Sequence, residues 1–197
     1  LSGASICVLP GSTDASAVAD YFGARRMRYQ LITSDRWDEL VKTYSSGGCT
    51  VLTGDLSLLA YERSRLANGA DQMLLPEYIS KEPLGPAVKV GRDSWFAVVR
   101  WTYMALVAAE ELGINSSNVE MMKVSPSHDV RCFLGLEADI GAPLGLARDW
   151  AYQVVRQVGN YAEIFDRTLG QGSALKLDRG LNNLWTKGGL MYSVPMR

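Results

Sequence analysis

Two short segments of this sequence carry residue types suited to holding charged groups. Gly11-Ser12-Thr13 joins a glycine to two hydroxyl residues. At the start of a helix such a turn presents backbone N–H donors, a hydroxyl and the positive end of the helix dipole, which together favour a carboxylate or phosphate. Ser and Thr are also ordinary helix caps, and that reading stands beside the first. Gly54-Asp55 offers the opposite chemistry, a carboxylate able to accept charge-assisted hydrogen bonds from an ammonium group, although Asp too is a common cap. An anion site and a cation site together suit a zwitterion.

Catalytic chemistry finds less support. His128 is the single histidine, and its context, Ser125-Pro126-Ser127-His128-Asp129, reads as a turn entering a helix, where a capping or solvent-facing role is expected. No nucleophile and base are visibly paired, so no catalytic residue is assigned. Cys7, Cys49 and Cys132 show no CxxC or Cys/His spacing of the kind that marks zinc sites. Neither a metal nor a cofactor is expected.

These segments need elements to position them. Ser5-Ile6-Cys7-Val8-Leu9 is a short apolar run stopped by Pro10-Gly11, as expected of a buried parallel strand. A helix follows, with Ser12 or Thr13 as cap, Asp14 in its first turn and Val18, Tyr21 and Phe22 as its apolar stripe. Tyr29-Gln30-Leu31-Ile32-Thr33 reads as a second strand. Ser34 caps a second helix with Trp37, Leu40, Val41 and Tyr44 inward, ended by Gly47-Gly48. The third strand is read as Cys49-Thr50-Val51-Leu52-Thr53, and a third helix over 56–66 turns Leu58, Leu59 and Leu66 inward. Repeated βα units imply right-handed crossovers and a parallel sheet, whose ligands bind at the carboxyl ends of the strands. Both candidate segments fall on that edge.

After Met73-Leu74-Leu75-Pro76 the texture changes. Lys81-Glu82-Pro83-Leu84-Gly85-Pro86 has a connector's composition and is read as a hinge, leading to one further strand, Ala87-Val88-Lys89-Val90. Beyond it the pattern is helical: 94–112, 118–123, 128–134, 146–158, 161–169 and a last turn over 181–185. The organisation is thus 1–80 as an α/β lobe, 81–86 as crossover and 87–197 as a strand and helices.

Composition bounds the function. The 197 residues are 47% apolar, enough for a real core, and 20 Lys and Arg nearly balance 21 Asp and Glu. No basic block is long enough to track nucleic acid or anionic lipid, so neither partner is expected. The longest apolar stretch, 95–112, is interrupted by Arg100, Glu110 and Glu111 and falls short of a membrane span.

Several segments resemble a known family. Gly3-Ala4-Ser5-Ile6-Cys7-Val8 with Pro10-Gly11-Ser12-Thr13, then Gly48-Cys49-Thr50-Val51 with Gly54-Asp55, and then Ile79-Ser80-Lys81-Glu82-Pro83-Leu84-Gly85-Pro86-Ala87-Val88 look like the second lobe and hinge of the general L-amino-acid-binding proteins, AapJ type. Asp149-Trp150-Ala151-Tyr152, Gln157-Val158-Gly159-Asn160-Tyr161, Glu163-Ile164-Phe165 and the run from Gly180 to Leu190 resemble that family's C-terminal extension. The resemblance implies an α/β fold of the periplasmic-binding-protein type (type II). Here it would consist of the second lobe with its parallel sheet, plus a mostly helical C-terminal part belonging to the first lobe and its extension. It implies a periplasmic receptor that binds an L-amino acid between its lobes and passes it to an ABC permease in the inner membrane. The ligand carboxylate would meet Thr13, with Gly11 and Ser12 beside it, and the ammonium would meet Asp55. Pro10 and Leu56-Ser57-Leu58 depart from the family by replacing more polar residues. The first lobe, with its carboxylate-binding Arg, has no counterpart in these residues and is an expected missing partner. An enzyme on the same fold, or a truncated interaction module that binds nothing, are the competing readings.

One cross-link is open on geometric grounds. In the flavodoxin-like strand order the first and third strands are neighbours, about 4.8 Å apart, within the Cα separation a disulfide tolerates. Cys7 and Cys49 could therefore be bonded in an oxidising periplasm, or stand as two buried thiols. Cys132 stays a thiol in either case.

Overall fold

The structure is a computed structural model describing residues 1–196, and the chain divides into two compact units, residues 1–84 and the remainder from Gly85 onward.

The first unit is a three-stranded parallel sheet with helices. Strand β1 is Ala4–Val8, β2 is Tyr29–Thr33 and β3 is Val51–Leu52, in the order β2-β1-β3. β1 takes the centre because its Ile6-Cys7-Val8 run is apolar on both faces. Ile6 lies opposite Leu31 on one side and Val51 on the other. Successive side chains of a strand point to opposite faces, which divides the core in two. Ile6 packs with Val18 and Phe22 of helix α1 (Thr13–Ala24), while Cys7 packs with Leu40 of helix α2 (Trp37–Ser45) and with Cys49. Cys7 and Cys49 are joined in a disulfide with Cα atoms 5.9 Å apart, and Cys132 is a free, buried thiol.

Three expectations for this unit need correction. The third strand covers two residues, not 49–53, because Ser5 and Thr50 hydroxyls intrude on the ladder: Thr50 N–H donates to Ser5 Oγ (3.0 Å) as well as to Ser5 O (2.9 Å), and Ser5 N–H donates to Thr50 Oγ1 (3.1 Å). Helix α3, Leu56–Arg65, buries only Ala60, and Leu58, Leu59 and Leu66 are half-buried. A two-residue edge strand offers a helix little surface to cover. Ser34 does not cap α2 directly; its hydroxyl donates to Glu39 Oε2 (2.6 Å) and accepts from Arg36 N–H (3.2 Å) one position upstream of the helix.

In the second unit the expected strand at 87–90 is absent. Its backbone enters no ladder, and Val90 is 96% exposed. Alternation alone cannot make a strand without a neighbour to take its N–H and C=O groups. The unit is helical: α4 is Asp93–Glu111, α5 His128–Phe133, α6 Trp150–Val158 and α7 Tyr161–Thr168, with 3-10 turns at Met121–Val124, Gly180–Asn182 and Trp185–Lys187. Helix α6 starts four residues later than the apolar pattern suggested: Leu146 N–H still donates back to Gly141 O (3.0 Å), and a further turn, in which Trp150 N–H donates to Ala147 O (3.1 Å), precedes the helix. Ala105, Ala108 and Ala109 of α4 let Phe133, Leu134, Trp150, Tyr152 and Val155 close around them. A capping box starts α7, where Glu163 N–H donates to Asn160 Oδ1 (3.0 Å) and Asn160 N–H donates to Glu163 Oε2 (2.8 Å).

Glu110 and Glu111, which interrupt the apolar face of α4, tie down the tail. Arg179 donates two hydrogen bonds to Glu110 (3.0 and 3.2 Å) and lies over the rings of Tyr161 and Phe165, while Trp185 Nε1–H donates to Glu111 (2.9 Å). No helix among the described residues is long and apolar enough to cross a membrane.

Candidate functional site

The sheet order places the loops after β1 and β3 side by side at the carboxyl edge, because those two strands are hydrogen-bonded neighbours. Between β1 and α1 the chain reverses at Gly11, whose φ of 68° is one that residues with a Cβ seldom adopt. Ser12 then serves the fold. Its hydroxyl donates to Leu9 O (2.7 Å) and accepts from Ala15 N–H (3.2 Å), so it staples the loop and caps α1.

Thr13 is different. It is exposed at the first position of α1, and its hydroxyl makes no hydrogen bond among the described residues. The N–H groups of Thr13 and Asp14 precede the first helical bond, from Ser16 N–H to Ser12 O (3.4 Å), which leaves them for a ligand or for water.

Asp55 occupies the cap position of α3, yet its carboxylate makes no capping hydrogen bond and is exposed. The turn that presents it is pressed against Trp37: a Cβ on Gly54 would come within 2.9 Å of the indole. That indole is in turn fixed by donating from Nε1 to Glu62 Oε1 (3.0 Å). Asp55 is therefore an uncommitted carboxylate on a braced turn.

The structure adds two acids that the sequence pattern did not single out as site residues. Asp14 has its carboxyl pKa raised, first by burial and then by the charges of Asp55 and Glu82. Three carboxylates thus share this edge and favour a cationic group there. In the sequence Asp14 is a helix-dipole partner and Glu82 part of a connector. A group whose folded pKa lies above its unfolded value contributes stability below the unfolded pKa, and this contribution is lost as pH rises through the folded pKa. Asp14→Asn is accordingly expected to raise the unfolding midpoint of this unit at pH 7. The gain should vanish below about pH 3, where even an unfolded Asp is mostly protonated. Midpoints measured at both pH values check this, and an equal gain at both would exclude the electrostatic cause.

His128 stands on the exposed start of α5, where the cap is Ser127 rather than His128. Its ring faces Glu137 and Cys132.

Comparison with known proteins gives these loops a context. No protein-family model matches the chain. It is 50% identical over its whole length to the general L-amino acid-binding periplasmic protein AapJ of Rhizobium johnstonii, of which it covers 58%. It is 44% identical to the glutamate/glutamine/aspartate/asparagine-binding protein BztA of Rhodobacter capsulatus, of which it covers 59%. Among solved structures, an ABC transporter/periplasmic binding protein from Brucella ovis with glutathione bound is 50% identical and superposes on all of this chain, which spans 62% of it, with a TM-score of 0.89. The chain thus spans about three-fifths of the length of its relatives, and over that span it has the α/β fold of a periplasmic binding protein. Its homologues at this level of identity are periplasmic binding proteins of amino-acid ABC transporters.

Proposed function

We propose that this chain is the second lobe, hinge and C-terminal part of a periplasmic receptor that captures L-amino acids for an ABC permease of the inner membrane, and that it is not an enzyme. The observation that carries this reading is the free carboxylate of Asp55 on the loop adjoining Thr13, in a chain homologous to amino-acid-binding proteins. Asp55 accepts from the ligand ammonium, and Asp14 and Glu82 add negative potential to the same edge. Thr13 contributes its hydroxyl and its N–H to the ligand carboxylate, with Gly11 shaping the turn and Ser12 holding it. Since three acids border that position, the countercharge for the carboxylate comes from the part of the receptor beyond this chain. Residues 81–86 form the hinge on which it closes.

The test is calorimetry on a receptor completed to the length of its relatives. Asp55→Ala is expected to weaken amino-acid binding roughly 10- to 150-fold, the equivalent of the 1.5–3 kcal/mol of a hydrogen bond to a charged group. Thr13→Ala should cost less, because its N–H survives the substitution. The reverse order, or no heat with any of the twenty amino acids, would sink the assignment.

A second reading is favoured by the Brucella relative, whose bound glutathione also carries an α-ammonium group beside a carboxylate. Glutathione titrated in the same experiment decides between them.

A further inference from the structure

The side chains of His128, Cys132 and Glu137 converge on one point, with one ligand atom from each within 4.8 Å of the others. Helix α5 puts His128 and Cys132 four residues apart and hence on one face, and the turn through Gly135 (φ 76°) brings Glu137 back beneath them. Cys132 Sγ lies 3.5 Å from His128 Nε2 and 3.9 Å from Nδ1. A tetrahedral zinc bound by one thiolate and one imidazole separates those ligand atoms by ~3.6 Å, given bonds of ~2.3 and ~2.05 Å, so Nδ1, the nitrogen that faces Glu137, has only to draw in slightly from 3.9 Å. Glu137 Oε2 is in contact with His128 Nδ1. Its other oxygen accepts from Arg131 Nε, while Arg131 Nη1 donates to Ser125 O (2.9 Å), so the carboxylate is held in place with one oxygen turned to the histidine.

From this geometry we propose a zinc site made by Cys132 Sγ, His128 Nδ1 and Glu137 Oε2, with water as the fourth ligand. Thiolate, imidazole and carboxylate are the donor set that zinc takes in preference to the oxygen-seeking Mg²⁺ and Ca²⁺. The metal takes the place of the proton between His128 and Glu137, and the carboxylate withdraws by about an ångström to the ~3.3 Å separation that two tetrahedral bonds of ~2.0 Å require. Binding releases the Cys132 thiol proton to solvent, and the proton displaced from His128 Nδ1 moves to Nε2, which leaves the imidazole neutral. The sulfur comes from the buried side of the helix (Cys132 is 3% exposed), whereas His128 and Glu137 are exposed, which leaves the fourth position to water. The site lies within the second unit and is independent of the amino-acid-binding reading.

Cobalt(II) titration of the full chain in reductant-free buffer tests it, with zinc affinity then measured by competition against a chromophoric chelator. One equivalent of cobalt should give the near-ultraviolet charge-transfer band of a thiolate ligand, and one equivalent of zinc should abolish it. Zinc should also protect Cys132 from alkylation. Cys132→Ser is expected to remove the band and weaken zinc roughly 100-fold or more, and Glu137→Gln to weaken it roughly tenfold or more, at least the roughly 10- to 100-fold that loss of an outer-shell partner costs a metal site. His128→Asn, at an exposed position that does not threaten the fold, must also lose the band. Failure of the chain to develop the band, or zinc affinity unchanged in His128→Asn, would overturn the site.

Discussion

Reduction of the Cys7–Cys49 disulfide is expected to cost the first unit about 4 kcal/mol, the loop-closure entropy for the 42-residue separation that it spans. Reduction removes no atom of the core and adds only two hydrogens, so the comparison tests the cross-link without truncating a side chain. It matters here because the sheet has three strands and β3 contributes only two residues of ladder; the bond fastens the entry of β3 to the central strand. Hydrogen exchange of β1 amides, read by mass spectrometry in oxidised and reduced protein, measures the loss locally. Thiol counting on denatured protein gives an independent check: one reactive thiol before reduction and three after. Three thiols without reductant would disprove the bond.

Arg179→Met should destabilise the second unit by about 3 kcal/mol. The substitution strands the Glu110 carboxylate, whose side chain is 5% exposed and which accepts two hydrogen bonds from the Arg179 guanidinium. Removing both charges as Arg179→Met/Glu110→Met should recover most of that loss, because a buried ion pair replaced by apolar groups is often neutral. Denaturant unfolding of the four members of the cycle gives the coupling energy. A single variant within about 0.5 kcal/mol of the parent, the range of ordinary surface changes, would show that the pair is not a structural clamp.

Read residue by residue, the chain revealed most of its elements. β2 and the start of α5 lie where residue types and spacing placed them, and β1 is shifted by one residue. The errors have a common origin. The Ala87-Val88-Lys89-Val90 alternation has no partner strand, the α3 leucines have no broad surface to cover, and α6 is preceded by turns over 141–150 that tie Leu146 N–H to Gly141 O and Trp150 N–H to Ala147 O. Each depends on what lies opposite the segment, which local pattern does not contain.

The candidate sites divide in the same way. The cap at Ser12, the glycine turns and the position of Asp55 just beyond a strand are local properties, and the sequence by itself determined them, together with the resemblance carried by those motifs. Whether Cys7 and Cys49 were bonded stayed open until the parallel pairing of β1 with β3 set their separation. His128 and Cys132 stand four residues apart in the sequence, and Glu137 joins them only through the turn at Gly135. Likewise Asp14, Asp55 and Glu82 lie far apart in the chain, yet the charges of Asp55 and Glu82 act on Asp14. Coulomb interaction depends on distance through space and on the solvent excluded between the groups, and only the tertiary structure sets either quantity.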